Sequence, residues 1–180
     1  MRRLPILIVV TVSVVAALFA GRSAASPGAA QACNLRGVWT ANNAETNRYF
    51  QAINPTTGDI SVVSGALSVA FTRRQWTFSG IGLKLVGQKG HTTIKEEIDL
   101  DATAPYTVHG STIHLGPGSY KLIHVSTVLI SNGVSKSIRL PNTSVATPGN
   151  DVGYTCTPRV LHLEVAAGAS SVTLTLARSR

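Results

Sequence analysis

The chain has 180 residues, of which 44% are apolar and 13% are charged, and its formal net charge at pH 7 is +8. This length supports one domain with a substantial core. After residue 32 the basic residues are scattered, with Arg73-Arg74 the only adjacent pair. A nucleic-acid interface needs clustered cations, so the charge pattern argues against nucleic-acid binding. The many Ser, Thr and Val residues favour β-sheet.

Residues 1–32 have the pattern of a secretion signal peptide. A pair of arginines precedes an apolar run, Leu4 to Ala20, and Ala30-Gln31-Ala32 fits the small-residue cleavage pattern. Cleavage there leaves one domain, residues 33–180, that meets a membrane only through the signal before the cut. Its net charge is +5, because the signal holds three basic residues and no acidic one. Two alternatives stay open: the run persists as a membrane anchor, or Cys33 receives a lipid.

Cys33 and Cys156 are the only cysteines and lie near the two ends of the predicted mature chain. In an exported protein such a pair predicts a disulfide bond. For a loop of this length the chain-entropy stabilisation is at most about 4–5 kcal/mol. Neither cysteine has a second Cys or a His at ligand spacing, so we predict no metal site here. No cofactor is expected either.

A first strand and a helix are predicted close to Cys33. Gly37-Val38-Trp39 forms the strand, and Asn43 to Ile53 is the only good helix candidate. Asn43 is placed to cap the helix N-terminus, and Glu45 lies in the first turn, where a negative charge suits the helix dipole. Tyr49, Phe50 and Ile53 make one apolar face.

The rest of the chain predicts strands with a period of two. Gly80 and Gly82 interrupt one strand and indicate a bulge or sharp bend, and Gly87 to Gly90 predict a turn. The alternating large apolar residues of this part are Leu67, Val69, Phe71, Trp76 and Phe78.

The second half of the chain predicts further hairpins. Tyr106 to His109 and Ile113 to Leu115 flank a short turn, Asn132-Gly133 is the strongest hairpin signal, and Pro141 to Gly149 reads as an exposed loop. Sequential strands without crossover helices predict an all-β fold. We expect an antiparallel up-and-down β-barrel of about 8–10 strands with one short helix after the first strand, because closure removes the sheet edges.

These motifs resemble the calycin superfamily, which includes lipocalins, fatty-acid carriers and small secreted bacterial, mostly actinobacterial, relatives. The resemblance is carried by Gly37-Val38-Trp39, by Tyr49-Phe50 on the helix, and by the closing Tyr154-Thr155-Cys156. It implies a lipocalin-like barrel with an internal cavity for an apolar molecule. The last strand departs from the fatty-acid carriers, since it lacks an Arg-x-Tyr pair to hold a carboxylate, and no ligand class is carried over.

Two groups of polar residues bear on catalysis. His109 and His114 lie across a predicted turn that would bring them together, but no His-x-His, His-Glu-x-x-His or Gly-x-Ser-x-Gly motif is present. We therefore expect surface histidines and no enzyme, with a weak metal site and a histidine enzyme as lesser alternatives. Glu96 shares parity with Ile94 and Ile98 and would point inward. A bulge at Glu96-Glu97, which would turn it outward, is the favoured explanation.

The aromatic residues suggest a function and an alternative to it. We predict a secreted, monomeric, non-enzymatic protein that binds a small hydrophobic, lipid-like ligand inside its barrel. The alternative is a fully packed extracellular barrel that serves as a cell-envelope or protein-interaction domain. An interior void of a few hundred Å³ would separate the two. The predicted ligand-lining residues are Trp39, Tyr49, Phe50, Phe71, Trp76 and Phe78.

Overall fold

A computed structural model describes residues 33–53, 59–167 and 170–179. The predicted signal peptide lies outside these residues. The described chain contains one α-helix and eleven β-strands. They are β1 (Gly37–Thr40), α1 (Asn43–Ile53), β2 (Asp59–Phe71), β3 (Gln75–Lys89), β4 (Thr92–His109), β5 (Thr112–Leu115), β6 (Gly118–Ser131), β7 (Val134–Leu140), β8 (Thr143–Thr147), β9 (Asn150–Cys156), β10 (Val160–Ala167) and β11 (Ser170–Arg178).

Eight of these strands close into an antiparallel barrel. The ring runs β1, β2, β3, β4, β5, β9, β10, β11 and back to β1, with each strand hydrogen-bonded to the next. Closure is completed where Trp39 of β1 pairs with Arg178 of β11. This confirms the predicted antiparallel barrel of about 8–10 strands with a short helix after the first strand.

Three strands lie outside the ring and form what we call the sheet extension, β6, β7 and β8. β6 pairs with the first twelve residues of β4. The last four residues of β4 pair instead with β5 of the barrel. β7 and β8 both pair with β6, β7 along its second half and β8 along Gly118 to Leu122. The prediction of a loop over Pro141 to Gly149 is therefore wrong, because Thr143–Thr147 forms a strand that pairs with the edge of β6.

Register shifts mark bulges in three pairs of strands. They lie between Val62 and Ala66 in the pairing of β2 with β3, between Gly80 and Leu83 in the pairing of β3 with β4, and at Asp99 in the pairing of β4 with β6. Gly65 has a φ of +89°, and a Cβ there would meet the carbonyl oxygen of Gly82 at 2.5 Å. The predicted bend at the β3 glycines is confirmed.

The turn predicted over Gly87 to Gly90 forms only at the end of that stretch. β3 continues through Lys89 and the chain reverses at Gly90 and His91, with Gly90 at a φ of +59°. Gly87 stays in the ladder, where it pairs with Ile60 and Ile94. A hairpin turn needs its glycine at the position of positive φ, and Gly90 meets this requirement.

α1 lies beside β2 and β11 where these strands extend beyond the short strand β1. β2 and β11 extend beyond the four residues of β1, and side chains of α1 bind their exposed backbone groups. Asn47 Oδ1 accepts from the N–H of Val62 at 3.0 Å, and Glu45 Oε2 accepts from the N–H of Thr175 at 2.9 Å. The helix thereby satisfies two strand edges that would otherwise lack partners.

The helix cap differs from the prediction by one residue. Asn42, not Asn43, supplies it, since Asn42 Oδ1 accepts from the N–H of Glu45 at 2.9 Å. Asn43 is the first helical residue. The predicted apolar face is confirmed, because Tyr49, Phe50 and Ile53 are buried against the barrel.

Cys33 and Cys156 form a disulfide bond, with 6.0 Å between their Cα atoms. The bond ties the segment before β1 to the end of β9 across a separation of 123 residues. This confirms the predicted pairing and is consistent with an extracellular location. Within the described part of the chain, no helix is long and apolar enough to span a membrane.

Candidate functional site

Apolar side chains of the described residues pack closely in the barrel interior. A void between them measures about 10 Å³, roughly the space one water molecule needs. Its walls are entirely apolar and come from both sides of the ring. The lining residues are Trp76, Phe78, Ile113, Leu115, Val152, Leu163, Val165 and Leu174.

Only two of the six predicted ligand-lining residues border this void. Trp76 and Phe78 do so, with their rings stacked 6.0 Å apart. Tyr49 packs against Phe78 and, edge to face, against Phe50 at 5.5 Å. Phe71 packs against Tyr106, a contact between β2 and β4 that sequence reasoning missed. All the predicted aromatics are buried, and they serve as core.

Trp39 closes one part of the barrel and is fully buried. Its indole Nε1 donates to the carbonyl oxygen of Leu35 at 2.8 Å. The guanidinium of Arg178 lies over the ring, and the same side chain donates to the carbonyl oxygens of Asn34 and Arg36. Trp39 is thus held by the segment before β1 and by the last strand.

Tyr49 and Tyr120 place two phenol groups in the core. Both residues are about 1% exposed, and neither hydroxyl has a hydrogen-bond partner among the described residues. Burial raises the pKa of both phenols above the usual range, and the nearness of Tyr120 raises the pKa of Tyr49 further. Tyr120 begins a strongly β-forming run, but no motif in the sequence marks its phenol as buried.

Glu96 points inward, and the bulge predicted to turn it outward is wrong. The ladder is regular at this point, where Glu96 pairs with Leu85 of β3 and Thr127 of β6. The residue is 8% exposed, and Thr127 Oγ1 lies 3.5 Å from its carboxylate. Burial raises the pKa of this carboxyl group, and the Thr127 hydrogen bond opposes that rise. The observed irregularity lies instead at Asp99.

The hairpin of β4 and β5 brings His109 and His114 together, as its predicted turn required. Their ring centres are 5.1 Å apart, and His114 Nδ1 is 2.7 Å from Asp151 Oδ1 on β9. His162 lies on another part of the outer wall, where its Nδ1 is 3.2 Å from the Thr175 hydroxyl. Over the ranges that the structure describes, no group of three or more His, Cys, Asp or Glu side chains is arranged to hold a metal ion.

No protein-family model matches the chain, and neither the curated proteins nor the solved structures contain a match. The closed eight-stranded antiparallel barrel is compatible with a calycin-like fold. Membership of that superfamily stays a prediction.

Proposed function

We propose that this protein is a secreted, non-enzymatic extracellular binding domain whose packed barrel supports an exposed sheet that contacts a cell-envelope component or a protein. The observation that carries the proposal is the filled interior. A void of about 10 Å³ holds no lipid, because pockets for small molecules have volumes of about 300–1,000 Å³. Binding is therefore assigned to the outer surface.

The distribution of exposed apolar side chains supports an external binding surface. Among the described residues, seven large hydrophobic side chains are exposed, and five of them lie on the sheet extension or at the bulges of β2 and β3. Exposed apolar side chains on these strands are available to a binding partner. The five are Val63, Ile81, Ile123, Val134 and Val145, of which Ile81 is the most exposed at 73%.

The extension also offers unpaired backbone groups. β7 and β8 have β6 as their single strand partner among the described strands, so their outer edges face solvent. An exposed edge is where an extended segment of another protein adds a strand. Lys136 and Arg139 lie along β7, and Pro141 follows it. Charged residues and proline at a strand edge disfavour non-specific pairing with strands of other molecules.

Secretion rests on two features of the chain. Residues 1–32 have the pattern of a signal peptide, and the Cys33–Cys156 bond is of the kind that persists in oxidising compartments. The disulfide bond would stabilise a domain that binds through its surface outside the cell.

Substitution on the two surfaces tests the proposal. Val134→Asp removes an apolar group from the sheet extension and Ile81→Asp removes one at the β3 bulge, while Val108→Asp makes the same change at an exposed valine on the barrel wall. The measurement is the fraction of protein that sediments with cell-envelope material of the source organism. We expect the first two variants to lose at least tenfold in affinity and the Val108 variant to behave as wild type. Equal binding by all variants would exclude the extension as the surface.

A second candidate, ligand binding inside the barrel, is favoured by the apolar lining of the small void. Outward rotation of the Trp76 and Phe78 rings would enlarge it, because both border the space. Native mass spectrometry of the protein secreted by its own host distinguishes the candidates. Protein free of lipid agrees with the packed barrel, whereas a stoichiometric co-purifying lipid would establish the internal site.

A further inference from the structure

The outer wall of the barrel carries two histidines beside a carboxylate, on β4, β5 and β9. We propose that His109 and His114 form a two-histidine site for a divalent ion that prefers imidazole, Zn²⁺ or Cu²⁺, and that Asp151 is a positioning residue for His114. The site depends on the barrel fold and is independent of the function proposed above.

The backbone fixes the two histidines on one face. β4 and β5 are joined by Gly110 and Ser111, with Gly110 at a φ of +58°, the conformation of a tight hairpin turn with glycine at its first central position. In this register Thr107 lies opposite His114, and His109 opposite Thr112. The two histidines are therefore diagonal neighbours across the strand pair, and long side chains at such positions reach each other.

Asp151 orients His114 for metal binding. The two residues are directly opposite in the β5–β9 ladder, and His114 Nδ1 is 2.7 Å from Asp151 Oδ1. A carboxylate is an acceptor, so Nδ1 carries the hydrogen, and in the neutral imidazole Nε2 then offers its lone pair to a metal ion. Metal-binding histidines are commonly oriented in this way, with the second ring nitrogen donating to a carboxylate.

The separation of the rings fits one shared ion. With zinc–nitrogen bonds of about 2.0–2.1 Å and tetrahedral angles, two imidazoles on one ion have ring centres about 5 Å apart. The centres of His109 and His114 are 5.1 Å apart. Rotation about the Cβ–Cγ bond of His109 redirects its nitrogens but leaves its ring centre almost in place, and this torsion is soft in histidine. Binding thus requires no movement of the strands.

The site has two protein ligands, and this number determines the ions it accepts. Nitrogen ligands suit copper and zinc, whereas calcium and magnesium require oxygen. Both members of the His114–Asp151 pair are substantially exposed, with side-chain exposures of 41% and 52%. The remaining coordination positions therefore open to solvent, where water completes the shell.

A simple surface ion pair is the competing explanation for His114 and Asp151, because exposed pairs of this kind are common and contribute little. It accounts for the 2.7 Å contact and leaves His109 without a role. Metal binding that depends on all three residues distinguishes the two explanations.

The experiment titrates the disulfide-intact protein, expressed from its full sequence, with copper(II) chloride followed by electron paramagnetic resonance, and with zinc chloride followed by calorimetry. We expect one saturable site with a two-nitrogen copper spectrum. His109→Ala and His114→Ala each lower affinity at least tenfold and reduce the spectrum to one nitrogen. Asp151→Asn lowers affinity about 10–100-fold while leaving the melting temperature unchanged, which a structural role would not do.

His162→Ala is the matched control. His162 lies on the same outer wall, and its Nδ1 contacts the Thr175 hydroxyl in place of a carboxylate. We expect its loss to leave metal affinity unchanged. Absence of saturable binding in the wild-type protein, or binding that survives in the double variant His109→Ala/His114→Ala with native circular dichroism, overturns the proposal.

Discussion

The guanidinium carbon of Arg178 lies 4.3 Å from the centre of the Trp39 ring, so a cation on the last strand covers the fully buried indole of the first. The two residues are also paired in the β1–β11 ladder. This pair lies where the ring of strands closes. The contact therefore joins a side chain near the start of the domain to a side chain near its end, at the point of closure.

Replacing Arg178 tests how much this contact stabilises the barrel. Arg178→Ala removes the cation–π contact and the hydrogen bonds to the carbonyl oxygens of Asn34 and Arg36. We expect the free energy of unfolding to fall by about 2–3 kcal/mol. Urea denaturation measures it, with Arg159→Ala, an exposed arginine, as the control. Equal effects of the two substitutions would contradict a special role for Arg178.

The close approach of β2 to β3 at their bulges depends on Gly65. An alanine Cβ at this position would meet the carbonyl oxygen of Gly82 at 2.5 Å, and φ is +89°. Gly82→Ala is the matched control, since φ there is also positive, +61°, but nothing lies within 4 Å. We expect Gly82→Ala to cost about 1–2 kcal/mol from backbone strain alone and Gly65→Ala to cost clearly more by urea denaturation. A smaller cost for Gly65→Ala would show that the approach of β2 to β3 relaxes easily.

The two buried phenols predict stabilisation on removal of their hydroxyls. Tyr49 and Tyr120 have no partner for these groups, and a buried polar group without a partner costs about 1–3 kcal/mol. We expect Tyr49→Phe and Tyr120→Phe each to raise stability by about 1 kcal/mol. Tyr106→Phe is the control, because its hydroxyl donates to the carbonyl oxygen of Thr72 at 2.9 Å and its loss should destabilise. Destabilisation by all three changes would mean that the buried hydroxyls are satisfied.

Because Glu96 is buried, we expect the free energy of unfolding to fall as pH rises. Burial raises the pKa of this carboxyl group above its usual 4.5 in the folded protein, so above that pH the unfolded chain releases the proton while the folded protein retains it. The unfolded state then binds fewer protons, and the free energy of unfolding falls with pH until the folded carboxyl group also ionises. Below pH 4.5 Glu96 contributes no such dependence.

Thermal melts of the wild type and Glu96→Gln between pH 4 and 8 check this expectation. The amide cannot ionise, so the variant should lack this part of the pH dependence and be more stable than the wild type at pH 7. Glu97→Gln, on the neighbouring exposed position, controls for the change in net charge. Parallel pH profiles for wild type and Glu96→Gln would rule out a buried, protonated Glu96.

Local patterns in the sequence were sufficient to predict most of the fold. The alternation of Leu67, Val69 and Phe71, the Asn132-Gly133 turn and the helix over Asn43–Ile53 each depend on residues close together in the chain. Such preferences act over one turn or one strand, so they could be read without knowledge of neighbouring strands. The Cys33–Cys156 pairing was equally accessible, since only two cysteines exist.

The structure decided what depends on distant neighbours. Whether β8 is a strand or a loop depends on the free edge of β6, and the direction of Glu96 depends on where the β4–β6 bulge falls. Whether Trp76 and Phe78 line a cavity or fill it depends on side chains contributed by four other strands. The sequence by itself determined a disulfide-linked antiparallel barrel, because periodicity and turn chemistry are local. Packing, and with it the filled interior, is a property of all strands together, so only the tertiary structure decided it.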